Sequence, residues 1–302
     1  MNRVAIFGGL GYQMFQYALA ISMDAEGIPT KISVNDFLLN RHYQGFELIK
    51  AFDVPLSIVD RLKASVMTKL RPIFVDTHTG FVKNAITKLF LNETNIYHEK
   101  MEYHFDEEVF RQRNSFLIGT WQSAKYFESQ QELIREVYNF NKPSDDINIQ
   151  VSGEISASNA VAVHVRRGFY IEPTLTKNRM VIDSSDYYYK AFDVISKKVD
   201  NPVFYVFSDD IEWAKKNFKG HNFEFVSHNK GANSYLDMYL MSLCRHFIIA
   251  NSAFSWWPAW LSSNEDKIVV IPKPWVRESE CPSIYPNNWL AIDVLTDKMQ
   301  MV

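Results

Sequence analysis

The chain has 302 residues, 47% of them hydrophobic and 22% charged, enough for one large domain or two ordinary ones with a substantial core. Its formal net charge is −3, spread evenly: residues 1–150 hold 16 basic and 18 acidic side chains and the remainder 16 and 17. Neither half has the basic excess of a nucleic-acid binder, so an anionic ligand must be met by a few placed residues, and no apolar run is long enough to span a bilayer.

The first element is "VAIFGGLGYQMFQYALA", Val4–Ala20. An apolar strand runs into Gly8, Gly9 and Gly11, and a helix follows with Met14, Phe15, Ala18 and Leu19 on its apolar face. Glycines let a backbone take positive φ and approach a ligand closely, and a helix start offers unpaired N–H groups. The dinucleotide fingerprint G-x-G-x-x-G fits Gly9 and Gly11 but meets Met14 at its third glycine. A plain strand-to-helix turn fits these residues as well.

Residues 56–92 alternate apolar groups with Lys63, Lys69, Arg71, Lys83 and Lys88. Two readings stay open: a solvated helix face, or peripheral contact with an anionic membrane surface. The polar stretch "NKPSDDINIQVSGEISASN", residues 141–159, marks the domain boundary, and we place domains at 1–155 and 156–302.

The second half alternates strands and helices. Strands are expected at Ala160–Val165, Val203–Phe207, Phe247–Ala250 and Ile268–Ile271; helices at Tyr187–Val199, Ile211–Phe218, Ser234–Cys244 and after Ser255. This alternation predicts an α/β fold with parallel sheets. Three strand ends carry polar groups that suit a ligand, since ligands of open α/β sheets bind beyond the carboxyl ends of strands. "HVRRGFY" sends Arg166 and Arg167 past a strand, where a guanidinium matches phosphate oxygens. "FSDDIEW" offers Asp209, as a helix cap, a ligand contact or both. "ANSAFSWWPAWL" offers Asn251, Ser252 and Ser255 at a helix start, with Pro258 in the first turn if Ser255 is the cap. The tryptophans after it read as core. Cys244 and Cys281 have no metal or redox spacing and read as reduced thiols.

Together "GGLGYQMFQYALA", "GTWQSAKYF", "HVRRGFY", "FYVFSDDIEW", "YLDMYLMSLCRHFIIANSAFSWWPAWL" and "IYPNNW" resemble the α-1,2-fucosyltransferases of glycosyltransferase family 11 nearly end to end. The resemblance implies the GT-B fold, two Rossmann-like domains with an interdomain cleft, with the acceptor side N-terminal and the GDP-sugar site C-terminal. It implies GDP-fucose as donor, a glycan hydroxyl as acceptor in surface polysaccharide or lipopolysaccharide synthesis, inversion to an α-1,2 linkage, and no required metal or other cofactor. By the same carry-over Arg166 grips the β-phosphate as the catalytic residue and His164 helps hold the nucleotide. Ser252, Ala253 and Phe254 lend backbone donors to the pyrophosphate, flanked by Asn251 and Ser255. Asp209 is a candidate guanosine contact, and Gly9 and Gly11 form the N-terminal lip. The general base is not identified. The expected location is cytoplasmic, in solution or against the inner face of the membrane.

The usual family text reads GGLGNQMFQYA, H-x-R-R-x-D-Y and NSSFSWWGAWL. Here Tyr12, Phe169, Ala253 and Pro258 replace Asn, Asp, Ser and Gly. Phe169 removes an acidic group beside the arginines, and Tyr12 removes a compact side chain able to cap a helix. Two alternatives follow: transfer of another GDP-sugar, or nucleotide or glycan binding without turnover. A further expectation is that Tyr12 and Phe169 lie near each other across the cleft.

Overall fold

The computed structural model describes residues 1–34, 45–54, 95–167, 182, 184–277, 279–296 and 299–301. The basic stretch at 56–92 and Phe169 lie outside the described residues, and with them the expected proximity of Tyr12 and Phe169. The chain forms two compact units, Met1–Asn141 and Lys142–Val302.

In the first unit four parallel strands lie in the order β2-β1-β4-β3, where β1 is Asn2–Ala5, β2 Thr30–Ser33, β3 Ile96–His98 and β4 Phe116–Ile118. The helix Leu10–Ala25 connects β1 to β2. Met14, Phe15, Ala18 and Leu19 are fully buried, as their spacing predicts. Each large one contributes about 1.5–3 kcal/mol of burial, so packing rather than propensity fixes this helix against the sheet.

In the second unit seven strands lie in the order β11-β10-β9-β8-β5-β6-β7. Here β5 is Asn159–Val165, β6 Pro202–Ser208, β7 Phe223–Val226, β8 His246–Ile248, β9 Val269–Lys273, β10 Leu290–Asp293 and β11 Met299–Met301. All described pairings are parallel except β10 with β11. From β7 through β10 this is the doubly wound order in which the chain reverses direction across the sheet between its first and fourth strands. The reversal falls between β5 and β8. β5 is buried at six of its seven positions, as a central parallel strand should be.

Residues 142–155, assigned above to the first domain, belong to the second unit. Their helix, Asp146–Ser156, is capped by Asp145, which accepts from the Asn148 N–H at 2.9 Å, and it leads directly into β5. A capped, half-exposed helix is as polar as a linker, so polarity alone does not place the division of the compact units at Asn141 and Lys142.

Candidate active site

The end of β5 and the end of β8 flank the strand-order reversal, and most of the residues singled out in the sequence converge there. His164 is the penultimate residue of β5. Its Nδ1 shares a 2.8 Å hydrogen bond with the Ser255 hydroxyl on the β8 side, and both are buried. Burial, with help from the Arg166 charge, pushes the imidazole down to about 3, so it is neutral near pH 7. The Tyr188 hydroxyl donates to the His164 carbonyl at 3.1 Å, and the Phe254 ring lies 5.7 Å from the imidazole.

The two arginines diverge as successive residues leaving a strand must. Arg166 Nη1 lies 2.9 Å from Asp209 Oδ2, with 39% of its side chain exposed. Arg167 turns the other way: its guanidinium stacks 4.2 Å over the Trp213 ring, and its Nε sits 3.6 Å from Asp210. Asp209 Oδ1 also accepts the Arg167 backbone N–H at 2.8 Å. One carboxylate thus fixes both the main chain of the motif and the guanidinium of Arg166. The expected helix cap is a different residue: Asp210 accepts the Trp213 N–H at 3.1 Å and starts the helix Ile211–Asn217.

On the β8 side the helix is Ala253–Leu261, with Ser252 as its cap, three residues earlier than a start after Ser255. Ser252 Oγ accepts the Phe254 N–H at 3.3 Å, Ser252 O accepts the Ser255 N–H at 3.2 Å, and the Ser252 N–H donates to Ala250 O at 2.8 Å. Of this turn's donors, the Ala253 N–H is the one not engaged among the described residues. Asn251 donates to Trp275 O at 3.0 Å. Pro258 therefore lies inside the helix, not in its first turn, and supplies no N–H for the Phe254 carbonyl. Trp256, Trp257 and Trp260 are buried, and the Trp256 indole donates to Ile284 O at 2.8 Å.

In the first unit the glycine turn is not a phosphate cradle of the dinucleotide kind. Gly9 caps the helix and Gly11 lies inside it. The helix-start N–H of Leu10 donates to Glu47 Oε2 at 3.2 Å, so a buried carboxylate already occupies the positive helix end. Tyr12 is likewise inside the helix, and no residue at that position could serve as its cap. Its ring covers Gly8, at φ +81°, so closely that a Cβ there would come within 2.8 Å of the Tyr12 ring. Gln13 ties the turn together, donating to Gly8 O and Gly45 O at 2.8 Å each and accepting the Glu47 N–H at 2.8 Å.

Three acidic residues escaped sequence reasoning. Glu47 has no local signal at all. Asp237, in the helix Tyr235–Ser242, is half-buried and pushed up to about 7 by desolvation, and it accepts from Asn229 Nδ2 at 2.9 Å. Its apolar neighbours read only as a core helix. Glu99 stands just past β3 and accepts the Thr120 N–H at 2.7 Å. Among the described residues, no group of three or more His, Cys, Asp or Glu could hold a metal ion, and no helix is long and apolar enough to cross a membrane. Cys244 and Cys281 are both buried and unbridged.

Paired α/β units with parallel sheets form the architecture of GT-B glycosyltransferases. The model of Glycosyl transferase family 11 matches residues 1–293. An α-1,2-colitosyltransferase of Escherichia coli is 32% identical over 294 residues, covering 95% of this chain and 97% of that protein. The O-antigen biosynthesis glycosyltransferase WbnK of Escherichia coli is 30% identical over 300 residues, covering 94% and 97%. The chain belongs to glycosyl transferase family 11. Among solved structures, NodZ α-1,6-fucosyltransferase co-crystallised with GDP shares the fold at a TM-score of 0.50 and 14% identity, covering 100% of this chain and 97% of that one.

Proposed function

We propose that this glycosyltransferase transfers fucose from GDP-fucose to a glycan hydroxyl, with inversion, in an α-1,2 linkage on a surface polysaccharide or lipopolysaccharide. The observation that carries the reading is the placement of Arg166, held by Asp209, beside His164 and Ser255 at the strand-order reversal of the second unit. As the donor bond breaks, negative charge grows on the β-phosphate. A half-exposed guanidinium whose direction is already set meets that charge without reorganising. The Ala253 N–H at the helix start is a second donor suited to the pyrophosphate, and the neutral His164 ring packs the turn that presents it. Asp209 then serves the donor by holding Arg166, with contact to guanosine as a further role. Gly9 and Gly11 shape the first unit's turn at the acceptor side. The family's relatives named for α-1,2 transfer and for O-antigen synthesis support the linkage and the product class.

Arg166→Ala tests the donor site. Removing a charged hydrogen-bond donor to phosphate costs about 1.5–3 kcal/mol, roughly 10- to 150-fold in GDP affinity by titration calorimetry. Unchanged affinity rejects the assignment. A second reading has its own support: the colitosyltransferase relative favours a donor carrying another GDP-linked sugar. Mass spectrometry of products from a panel of GDP-sugars separates the two, and GDP binding without any transfer identifies a protein that has lost turnover.

A further inference from the structure

Strands β5 and β6 run in register from Asn159 opposite Pro202 to Val165 opposite Ser208. Carried through the next two positions, the same register sets Arg166 beside Asp209 and Arg167 beside Asp210. The two pairs are unequal. Arg166 Nη1 meets Asp209 Oδ2 at 2.9 Å, a hydrogen-bonded ion pair. Arg167 Nε stays 3.6 Å from Asp210 Oδ2, too far for a hydrogen bond. Asp210 is committed to its own helix: its Oδ1 accepts the Trp213 N–H at 3.1 Å, and its N–H donates to Ser208 Oγ at 2.9 Å. The Arg167 Nε is therefore buried with no hydrogen-bond partner among the described residues, which is destabilising unless something else holds the charge.

What holds it is an aromatic face. The Arg167 guanidinium carbon stands 4.2 Å from the centre of the half-buried Trp213 ring, where the ring quadrupole attracts a cation, and desolvation strengthens that attraction. Trp213 is itself set by the core. Its ring lies edge-on to Phe218 at 5.7 Å and to Tyr188 at 6.4 Å, and the buried Tyr188 hydroxyl donates to His164 O at 3.1 Å. A row of side chains thus runs from the main chain of His164 through Tyr188 and Trp213 to Arg167, and it brackets Arg166 on both sides in sequence. Asp209 lies within reach of this row: its Oδ1 accepts the Arg167 backbone N–H at 2.8 Å, so an Arg167 side chain released from the ring would find that carboxylate close by.

We propose that Trp213 is a positioning residue of the donor site: by stacking the Arg167 guanidinium it keeps that side chain from competing for Asp209, and so leaves Asp209 to orient Arg166 toward the diphosphate. This rests on the donor reading above. Without the ring, Arg167 gains more from Asp209, at hydrogen-bonding distance, than from Asp210 at 3.6 Å with its Nε unsatisfied. The half-exposed Arg166 then loses the constraint on its direction, and its ordering has to be supplied when phosphate binds. The nucleotide does not touch Trp213 in this scheme. An aliphatic side chain would fill space against Phe218 and Tyr188 but offers no face to a guanidinium, so the electrostatics of the ring, and not its volume alone, carries the role.

The test is a set of coupled substitutions in the full chain, read by titration calorimetry with GDP. Trp213→Leu should weaken GDP binding about 5- to 30-fold, the range of a partly desolvated cation–π contact, and Trp213→Phe should keep most of the affinity. Adding Arg167→Met to Trp213→Leu removes the competitor and should restore affinity to within about threefold of wild type; in an Arg166→Ala background Trp213→Leu should change it less than about twofold. A folded Trp213→Leu protein within about twofold of wild type overturns the proposal, and so does a loss that Arg167→Met leaves unrepaired, the result expected of a purely structural role. Should Trp213→Leu fail to fold, Arg167→Met alone decides: a loss beyond about tenfold means that Arg167 grips the nucleotide itself, and overturns the proposal. Unchanged GDP affinity in Arg166→Ala would instead strike the donor reading. The positioning role is then read without nucleotide, from the Arg166 Nε–H resonance in isotope-labelled protein: faster exchange in Trp213→Leu, reversed by Arg167→Met, supports it, and unchanged exchange overturns it.

Discussion

Replacing Ser255 with alanine isolates the bond that staples the two strand ends of the donor site. The wild-type bond to His164 Nδ1 is 2.8 Å long between side chains that are 1% and 5% exposed, so no water can take the place of the lost hydroxyl. The other contact of the hydroxyl, to Ser252 O, is 3.4 Å and adds little. His164 cannot escape by ionising, because burial holds it near 3. The cost is therefore that of one buried polar atom left without a partner, about 1–3 kcal/mol. For a domain of this size each kcal/mol lowers Tm by about 2–4 °C, giving a drop of roughly 2–12 °C at pH 7 by calorimetry. Ser255→Thr keeps the hydroxyl and should lose much less. GDP affinity should fall in the alanine variant, because the helix start that offers the Ala253 N–H is no longer tied to β5. A Tm within about 1 °C of wild type would refute the reasoning, since the staple would then carry no free energy.

Pro258→Ala restores an N–H to the interior of the helix Ala253–Leu261, where proline costs about 3 kcal/mol relative to alanine; thermal melts should show a rise in Tm, and a fall would mean that the proline ring is needed in the tryptophan packing around it. Glu47→Ala removes the carboxylate that accepts the Leu10 N–H and should destabilise the first unit by about 1–2 kcal/mol in urea unfolding, with Glu47→Gln recovering part of the loss.

The strands and helices of the second half were legible because their apolar runs are long and their turns polar. β5 and the helix Ile211–Asn217 fall within one residue of the expected ranges. The site was legible wherever a motif sits at a strand end: His164, Arg166, Asp209 and Ser255 meet as adjacent strands require. Local sequence failed where the partner is distant. Whether Asp209 or Asp210 caps a helix depends on which carboxylate Arg166 captures, and Arg166 follows a different strand, β5. Nothing near Gly9 and Gly11 announces that Glu47, 37 residues from Leu10, accepts a helix-start N–H there. Glu99 was missed for the same reason, since its partners arrive with a strand 21 residues later.

Those distant carboxylates sort the two units by charge. At the carboxyl edge of the first sheet the strand ends and helix start carry Glu47 and Glu99, both engaged with backbone N–H groups that would otherwise attract an anion. At the reversal of the second sheet the exposed charge is Arg166, and the Ala253 N–H is left unused by its own turn. A diphosphate brought to the first edge would face carboxylates already in place, and those N–H groups can serve it only by giving up Glu47 or Glu99. Brought to the second, it meets a guanidinium already held in position. Carboxylates instead suit a neutral, hydroxyl-rich ligand, for which they are hydrogen-bond acceptors. That difference follows from which orphan donors each unit satisfies for itself, and it supports the proposed nucleotide site in the second unit.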